Sequence, residues 1–142
     1  MTRFPVYIAG PYTKPDPVWN VEAACLCWSH LHRLGFAPFC PHWSHFQHER
    51  YPLPYQDWLE VDQIWLKLCG AVFRIPGESF GADAEEVAAA KEAMPVFTGY
   101  RALVAWFARD DDWAIPSEEV IAECEAEWWA ALAERGLCAP VL

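Results

Sequence analysis

Apolar residues along this chain fall into short runs of strand length that alternate with longer stretches of helical spacing. Four short runs, each bounded by Gly, Pro or polar residues, predict buried strands. They cover 4–9, 36–40 and 71–75, and a fourth strand begins at 95–97. Because helical patterns separate these runs, the strands are expected to pair in parallel with helices on both faces of the sheet.

The helical stretches carry recognisable start and stop signals. Asp16 followed by Pro17 predicts the start of the first helix, and Gly35 its end. Further helices are predicted over about 57–68, 82–93 and 100–108, and a long last helix runs from Ser117 to a stop at Gly136. The helix at 57–68 is expected to turn one apolar face to the core, formed by Trp58, Val61, Trp65 and Leu68.

This order predicts a small doubly wound parallel α/β fold, Rossmann- or flavodoxin-like, with about four or five strands. Residues 1–142 are expected to form a single domain, in which 98–142 is a helical C-terminal addition. The last helix has apolar positions all around much of its surface, so it is expected to pack on the sheet and against a second subunit.

Ligands of such folds bind at the carboxyl ends of the strands. The loops expected at that edge are 10–16, 41–56 and 76–82. The segment 41–56 is predicted to be one long functional loop, because long loops in compact domains usually carry function.

Glu85 is the residue in this region with the clearest chemical potential. The segment 79–85 follows the apolar run 71–75 and reads as a turn into a helix, which places Glu85 in the first helical turn. A helix N-terminus carries about half a positive charge, so the carboxylate is expected to stay ionised. An ionised carboxylate aimed into a crevice is how an acidic nucleophile is presented.

Composition and charge narrow the partners. The 142 residues carry a net charge of −10, which disfavours a polynucleotide but not a small mononucleotide. No apolar run reaches the length of about 18 residues that a membrane span needs, and no signal peptide is evident. Six cysteines without a CxxC pair fit reduced thiols in a cytoplasmic protein, and nine tryptophans favour a homodimer or larger homo-oligomer.

Three segments together resemble the nucleoside 2-deoxyribosyltransferase-like family. The first, 6–12, reads VYIAGPY and resembles that family's first strand and glycine turn. The second is Asp62 followed by Gly70-Ala71-Val72, and the third is SFGADAE at 79–85 with PVF at 95–97. The resemblance covers about 4–97, and the glutamate segment at 79–85 is its most specific part.

The resemblance implies a dimeric doubly wound domain that breaks the N-glycosidic bond of a nucleoside or nucleotide through a glycosyl-glutamate intermediate, without a cofactor. It implies Glu85 as nucleophile, Asp62 as the group that protonates or positions the base, and Tyr7 as the residue that orients the nucleophile. Substrate contacts are expected from the other residues at the same edge: Gly10, Pro11, Tyr12, His42, Trp43, His45, Ser79, Gly81 and Ala82.

Ser79 bears on the substrate. The family's transferases of free nucleosides have an aspartate at this position, whereas the branch that hydrolyses 2′-deoxynucleoside 5′-monophosphates has a serine. A hydroxyl and the amides of Gly81 and Ala82 could bind a phosphate that an aspartate would repel. Ser79 therefore favours a 5′-monophosphate.

Each of these residues also has an ordinary structural interpretation. Glu85 could only complement the helix dipole, Asp62 could be a solvated helix position, Tyr7 a core residue and Gly10 a plain turn. Cys40, His42, His45 and His48 match no established zinc spacing, so no metal is expected there, and His48 is interpreted as a plain loop residue. Asp110-Asp111-Asp112 is interpreted as a solvated acidic turn. The rival function is a non-catalytic nucleotide-binding or sensing module on the same fold.

Overall fold

A computed structural model of the chain describes residues 2–137, and its centre is a four-stranded parallel sheet. The strands are β1 (Pro5–Ala9), β2 (Ala37–Phe39), β3 (Ala71–Arg74) and β4 (Val96–Phe97). They lie in the order β2-β1-β3-β4, and Tyr7 on β1 is paired with Phe39 on β2 and with Val72 on β3. The chain therefore reverses its winding direction between β1 and β3, which makes this the switch point of the sheet.

The helices cover both faces of this sheet. They are α1 (Pro17–Arg33), α2 (Ser44–Arg50), α3 (Tyr55–Leu66), α4 (Phe80–Lys91), α5 (Tyr100–Phe107) and α6 (Glu118–Glu134). A single 3₁₀ turn, Pro41–Trp43, precedes α2. The predicted doubly wound parallel fold with a helical C-terminal addition is confirmed.

Alternation along β1 and β3 divides the core into two layers. Val6, Ile8 and Phe73 point to the layer formed by α1, α5 and α6. Tyr7 and Val72 form the other layer with Leu66 of α3 and with Ala82 and Ala89 of α4. Side chains on a strand alternate between faces, so Tyr7 lies on the same face as the helices that follow β2 and β3. This second layer is the one that reaches the switch point.

Local capping signals are confirmed. Asp16 accepts hydrogen bonds from the amides of Val18 and Trp19, and Ser117 accepts one from the amide of Val120. Such side-chain caps satisfy amides that the first helical turn leaves without a partner. Gly136 ends the last helix with a φ of 73°, a left-handed conformation that favours glycine.

The prediction of one long loop over 41–56 is wrong. The segment contains the 3₁₀ turn and α2, and only its last few residues are irregular before α3. None of the residues of α2 is buried, so the sequence shows no apolar period from which a helix could be predicted. The helix has no side-chain cap, so its stability depends on contacts with neighbouring elements of the fold.

The predicted inner face of α3 is also wrong for three of its four residues, although Trp58 does face the protein. Val61, Trp65 and Leu68 are exposed, although Trp65 stacks on Phe39 with a centroid distance of 5.6 Å. The side that faces the protein carries instead Leu66 and a row that we call the inner α3 stripe: Tyr55, Trp58, Leu59 and Asp62. Both rows have the spacing of one helical face, and the sequence pattern favoured the more apolar one.

The C-terminal helices complete the first layer of the core. Trp128 of α6 is fully buried, and His30 of α1 lies between the hydroxyl of Tyr100 and the carboxylate of Glu127. The five cysteines among residues 2–137 are free thiols, of which Cys25 is exposed, while Cys138 lies outside the described residues. Within the described range, no helix combines the length and apolar character needed to cross a membrane.

Candidate active site

A cleft of about 580 Å³ opens at the switch point of the sheet. Its walls come from the loop after β1, the 3₁₀ turn with α2, the inner α3 stripe and the first turns of α4. This volume is in the range of small-molecule sites, and its place at the carboxyl ends of β1 and β3 is where doubly wound folds bind ligands.

Glu85 and Asp62 bring two carboxyl groups to this cleft from different helices. Glu85 lines it from α4 and is only 8% exposed, and Asp62 lines it from the inner α3 stripe and is half-buried. Ser79 caps α4 and the helix begins at Phe80, so Glu85 lies in its second turn. The expectation of a first-turn position is therefore wrong by one turn, and the helix dipole acts on Glu85 only weakly.

Both carboxyls hold their protons unusually tightly. Burial raises the pKa of Asp62 to about 7. Burial, reinforced by the charge of Asp62, raises the pKa of Glu85 to about 8, against the opposing effects of Tyr7 and of the Arg74 charge. The expectation that Glu85 simply stays ionised does not hold in this cleft, because removal from water outweighs the helix dipole.

Tyr7 lies beneath Glu85 and is completely buried on β1. Burial and the charge of Glu85 raise the pKa of its phenol well above the usual value. The approach of the two groups lowers the pKa of Glu85. However, within residues 2–137 neither Tyr7 Oη nor Glu85 Oε2 has a hydrogen-bond partner of normal geometry. The phenol and the carboxyl group therefore lie close together without a formed hydrogen bond. The phenol is the polar group at hand to orient the carboxylate.

Arg74 is a buried cation that the sequence interpretation passed over. Its guanidinium donates to the carbonyl of Gly77 over 2.9 Å and contacts Asp83 at 3.2 Å and Glu86 at 3.4 Å. It thus fastens the loop after β3 to α4, and its charge favours the ionised form of Glu85. A charged residue inside the apolar run 71–75 is the signal that could have revealed it.

The inner α3 stripe contributes an aromatic wall. Tyr55 and Trp58 line the cleft with Leu59 and Asp62. A Cβ built on Gly81 would lie 2.8 Å from Tyr55 Oη, so the glycine makes room for this hydroxyl. Burial and the charges of Glu85 and Asp62 raise the pKa of Tyr55, which puts its hydroxyl within electrostatic reach of both acids. Trp58 was expected on the inner face of α3 but not as part of a site, and Tyr55 was not predicted to contribute.

The loop after β1 forms the floor. Gly10 and Tyr12 line the cleft, whereas Pro11 is buried behind it. A Cβ on Gly10 would lie 2.8 Å from Cβ of Ile75, so this glycine is needed for close packing of the loops after β1 and β3. Tyr12 Oη and Nδ1 of His45 share a hydrogen bond of 2.6 Å, so His45 supports Tyr12 from outside the cleft wall.

The segment after β2 contributes two histidines but not the predicted tryptophan. His42 lines the cleft, is 5% exposed and donates from Nε2 to the carbonyl of Pro11 over 2.9 Å. Its Nδ1 is buried without a partner among the described residues, and burial lowers the pKa of the ring. His48 lines the cleft from α2. Trp43 is not part of the wall; it packs against Trp28 with a centroid distance of 5.5 Å.

The start of α4 forms the opposite wall with Ser79, Gly81 and Ala82. Ser79 Oγ accepts the amide hydrogen of Ala82 over 3.1 Å, so that amide is already engaged. The Ser79 hydroxyl hydrogen and the Gly81 amide remain for a ligand. Lys14 is the only Lys or Arg among the residues that line the cleft, and Asn20 holds its backbone carbonyl over 2.9 Å.

Metal binding finds no support in the described range. Among residues 2–137, no group of three or more His, Cys, Asp or Glu side chains is arranged to hold a metal ion. The histidines at 42, 45 and 48 point to different partners: Pro11, Tyr12 and Trp58. The arrangement is instead that of two buried carboxyls with shifted pKa values that share one cleft, which can supply an acid and a nucleophile.

Comparison of the chain with protein-family models, with curated proteins and with solved structures finds no match in any of the three.

Proposed function

We propose that this protein cleaves the N-glycosidic bond of a deoxynucleoside 5′-monophosphate or nucleoside through a covalent glycosyl-glutamate intermediate. The observation that carries the proposal is the pair Glu85 and Asp62, both withdrawn from water and both lining one cleft at the switch point. Tyr7 beneath Glu85 and the resemblance of 79–85 to a catalytic glutamate segment support it.

In the proposed mechanism, an oxygen of Glu85 forms a bond to C1′ of the sugar while the bond from C1′ to the base nitrogen breaks. The electron pair of the broken bond leaves with the base, and Asp62 supplies the proton that neutralises it. Water, or the nitrogen of a second base, then attacks C1′ and gives its proton to the Asp62 carboxylate, while the ester bond from C1′ to Glu85 breaks and Glu85 leaves as a carboxylate. Two carboxyls that act on opposite sides of one anomeric carbon follow the logic of retaining glycosidases.

Proton occupancy limits the active fraction of the enzyme. The mechanism needs an ionised Glu85 and a protonated Asp62, whereas the pKa of Glu85, about 8, exceeds that of Asp62, about 7. The productive form is therefore the less populated of the two singly protonated states of the pair. Arg74 and Tyr7, which both lower the pKa of Glu85, are the groups that favour it.

A 5′-monophosphate is the preferred substrate in this proposal. Ser79 and the first amides of α4 supply neutral donors, and Lys14 supplies a positive charge on the same cleft. Changing Lys14→Gln should raise KM for monophosphates about tenfold and leave KM for the corresponding nucleosides unchanged, because only the monophosphates carry the anion. Ser79→Asp should shift preference in the same direction. Equal effects on both substrate classes would remove the argument for phosphate.

The decisive experiment is chromatographic detection of free base. The protein is incubated with a panel of deoxynucleosides and their 5′-monophosphates, with and without a second free base to separate transfer from hydrolysis. The Glu85→Gln variant should lose base release by a factor of 10³ or more, of the order seen when a nucleophile is removed. Glu86→Gln, one position further along α4, is the matched control. Full turnover by Glu85→Gln contradicts the mechanism.

A non-catalytic nucleotide-binding module is the second candidate, and one observation favours it. At neutral pH a pKa of about 8 leaves most Glu85 side chains protonated, and a protonated carboxyl is a hydrogen-bond donor rather than a nucleophile. A binding module would show a thermal shift with nucleotides and no release of base. Base release that depends on Glu85 excludes it.

A homodimer forms part of the proposal. Val61, Ile64, Trp65 and Leu68 line up on the surface of α3 as an outer α3 stripe, with Ile64 65% and Trp65 48% exposed. An exposed row of apolar side chains is a surface through which two copies of a chain with net charge −10 can meet by burying apolar area. Ile64→Lys should lower the molar mass measured by light scattering. Ile115→Lys, at an exposed apolar residue away from α3, should not.

A further inference from the structure

The imidazole of His48 is held in a single tautomer. Its Nδ1 lies 2.9 Å from Nε1 of Trp58 and 3.3 Å from the amide nitrogen of Leu53. An indole N–H and a backbone N–H can only donate, so Nδ1 must be the acceptor and cannot carry the proton. The ring hydrogen therefore resides on Nε2. This assignment follows from the chemistry of the two partners.

The second nitrogen of His48 is left for a ligand. No described residue accepts a hydrogen bond from Nε2, while the ring itself lines the cleft. His48 thus presents one donor and no acceptor to whatever fills the cleft. The two histidines nearby differ in this respect, because His42 already donates from Nε2 to the carbonyl of Pro11, and His45 does not line the cleft.

The surroundings of His48 fit a flat, uncharged ligand group. Its ring stands nearly edge-on to the indole of Trp58, with a centroid distance of 6.0 Å and an interplanar angle of 68°. Trp58 and Asp62 are one helical turn apart on the inner α3 stripe. Lys14 and Ser79, the groups suited to phosphate, come from other walls. His48 therefore lies on the side of the cleft where Asp62 meets the leaving group.

We propose that His48 is a positioning residue for the nucleobase: its Nε2–H donates a hydrogen bond to an acceptor atom of the base, a ring nitrogen or a carbonyl oxygen, beside the indole of Trp58. The inference rests on the proposed function for the identity of the ligand. Its consequence for the reaction is direct. As the glycosidic bond breaks, electron density moves into the base. A hydrogen bond from Nε2–H to an acceptor atom of that base is therefore stronger in the transition state than in the ground state.

Two substitutions separate this role from a structural one, because an amide side chain can imitate either nitrogen of the ring. Asn has its polar group at the reach of Nδ1, and Gln at the reach of Nε2. His48→Asn should keep the tie to Trp58 and lose the contact with the base. His48→Gln should lose the tie and keep the contact. If His48 only fastened α2 to α3, His48→Gln rather than His48→Asn would lose more activity.

The readouts are thermal stability, kcat/KM for base release, and nucleotide affinity by calorimetry with Glu85→Gln as background. We expect His48→Asn to lower kcat/KM about tenfold or more, with a melting temperature close to that of the wild type, and His48→Gln to lower kcat/KM less and the melting temperature more. An analogue of the substrate base in which the acceptor atom is replaced by C–H should be cleaved equally by the wild type and by His48→Asn.

The outcomes distinguish this inference from the proposed function. If base is released but His48→Gln is the more damaged enzyme, or both variants match the wild type, His48 does not contact the base. If no base is released from any compound, the proposed function fails, and the affinities of the two variants then decide whether His48 still binds a base. Weaker binding by His48→Asn than by His48→Gln supports the contact, and equal affinities, or no binding, overturn it.

Discussion

Gly81 on α4 and Tyr55 on α3 are matched in shape: a Cβ at position 81 would lie 2.8 Å from the phenol oxygen of Tyr55. The side chain at risk is the far end of a rotatable phenol, so Gly81→Ala can be accommodated if Tyr55 turns away from the cleft. The fold tolerates the change, whereas the hydroxyl near Glu85 and Asp62 is lost.

Gly81→Ala should therefore raise stability and lower activity. Alanine in a helix is favoured over glycine by about 0.5–1 kcal/mol, which increases the melting temperature by a few degrees. Base release should fall about three- to tenfold and match that of Tyr55→Phe. The double variant should be no worse than either single one, because both remove the same hydroxyl. Additive losses in kcat/KM would show that the two residues act separately.

The pH dependence of kcat/KM should be bell-shaped with a maximum between about 7 and 8. Activity rises as Glu85 loses its proton and falls as Asp62 loses its own, with raised pKa values of about 8 and about 7. The two limbs report the pair, since the carboxyls share a cleft.

Asp62→Asn tests the coupling behind this profile. The negative charge of Asp62 raises the pKa of Glu85, so its removal should abolish the alkaline limb and leave a single rising limb that reports Glu85 alone, at a pH below about 8. Activity should fall by a factor of about 10² to 10³ for loss of the proton donor. An alkaline limb that persists in Asp62→Asn would contradict the assignment.

Glu85→Gln should stabilise the protein at alkaline pH. The pKa of Glu85 is raised to about 8 in the folded state, so the stability linked to its proton is present at low pH and is lost as the pH rises through 8. At pH 9 the wild type buries a charge that the variant lacks, and the variant should be more stable by on the order of a few kcal/mol. At pH 4, below the ordinary pKa of glutamate, the two should melt within a degree or two of each other, and at pH 6 part of the difference should already be present.

Glu86→Gln serves as the control for this pair of melting curves. Glu86 is half-buried and contacts Arg74 at 3.4 Å, so its loss should cost a little stability at neutral and alkaline pH alike. A gain at pH 9 for both variants would mean that the effect comes from net charge rather than from burial of Glu85.

Glu127→Gln should destabilise the C-terminal layer in a pH-dependent way. His30 Nε2 and a carboxylate oxygen of Glu127 lie 2.8 Å apart, and this hydrogen bond lowers the pKa of Glu127. Stability from a lowered pKa is present at neutral pH and is lost as the pH falls below the usual range of glutamate. Because Glu127 is largely exposed, the loss at pH 7 should be no more than about 1 kcal/mol, a shift of a few degrees.

The comparison for Glu127 is Glu123→Gln on the same helix. Glu123 pairs with Arg33, and both side chains are well exposed, so its melting temperature should stay close to that of the wild type. Equal shifts for the two variants would mean that the buried His30 adds nothing.

Much of the fold could be predicted from local signals. The helix start and stop signals depend only on residues within one helical turn, so they can be recognised from the sequence. They are Asp16 with Pro17, Ser117 and Gly136. The parallel pairing of the strands also follows from their alternation with helices, whereas the order β2-β1-β3-β4 does not. The inward face of α3 could not be read off in the same way, because the more apolar of its two rows is the exposed one and only tertiary packing selects the inner row.

The site was predicted unevenly for similar reasons. Glu85 and Asp62 were found because their segments resemble known ones, and Arg74 could have been found as a charge inside a buried run. His48 was interpreted as a plain loop residue, since its hydrogen bond to Trp58 depends on how α2 folds back against α3. The raised pKa of Glu85 was missed because burial depends on neighbours from three elements, which no spacing rule reveals.

The inner and outer α3 stripes place two different surfaces on one helix. The outer α3 stripe looks away from the cleft, while Asp62 and Trp58 look into it from the same few turns. A second subunit bound to the outer α3 stripe would restrict the motion of Asp62 and Trp58 on the inner side. Dilution that separates the subunits should therefore make both side chains more mobile. The rate of turnover per molecule would then rise with protein concentration. Such a rise is not expected of an enzyme whose active site lies far from its subunit interface.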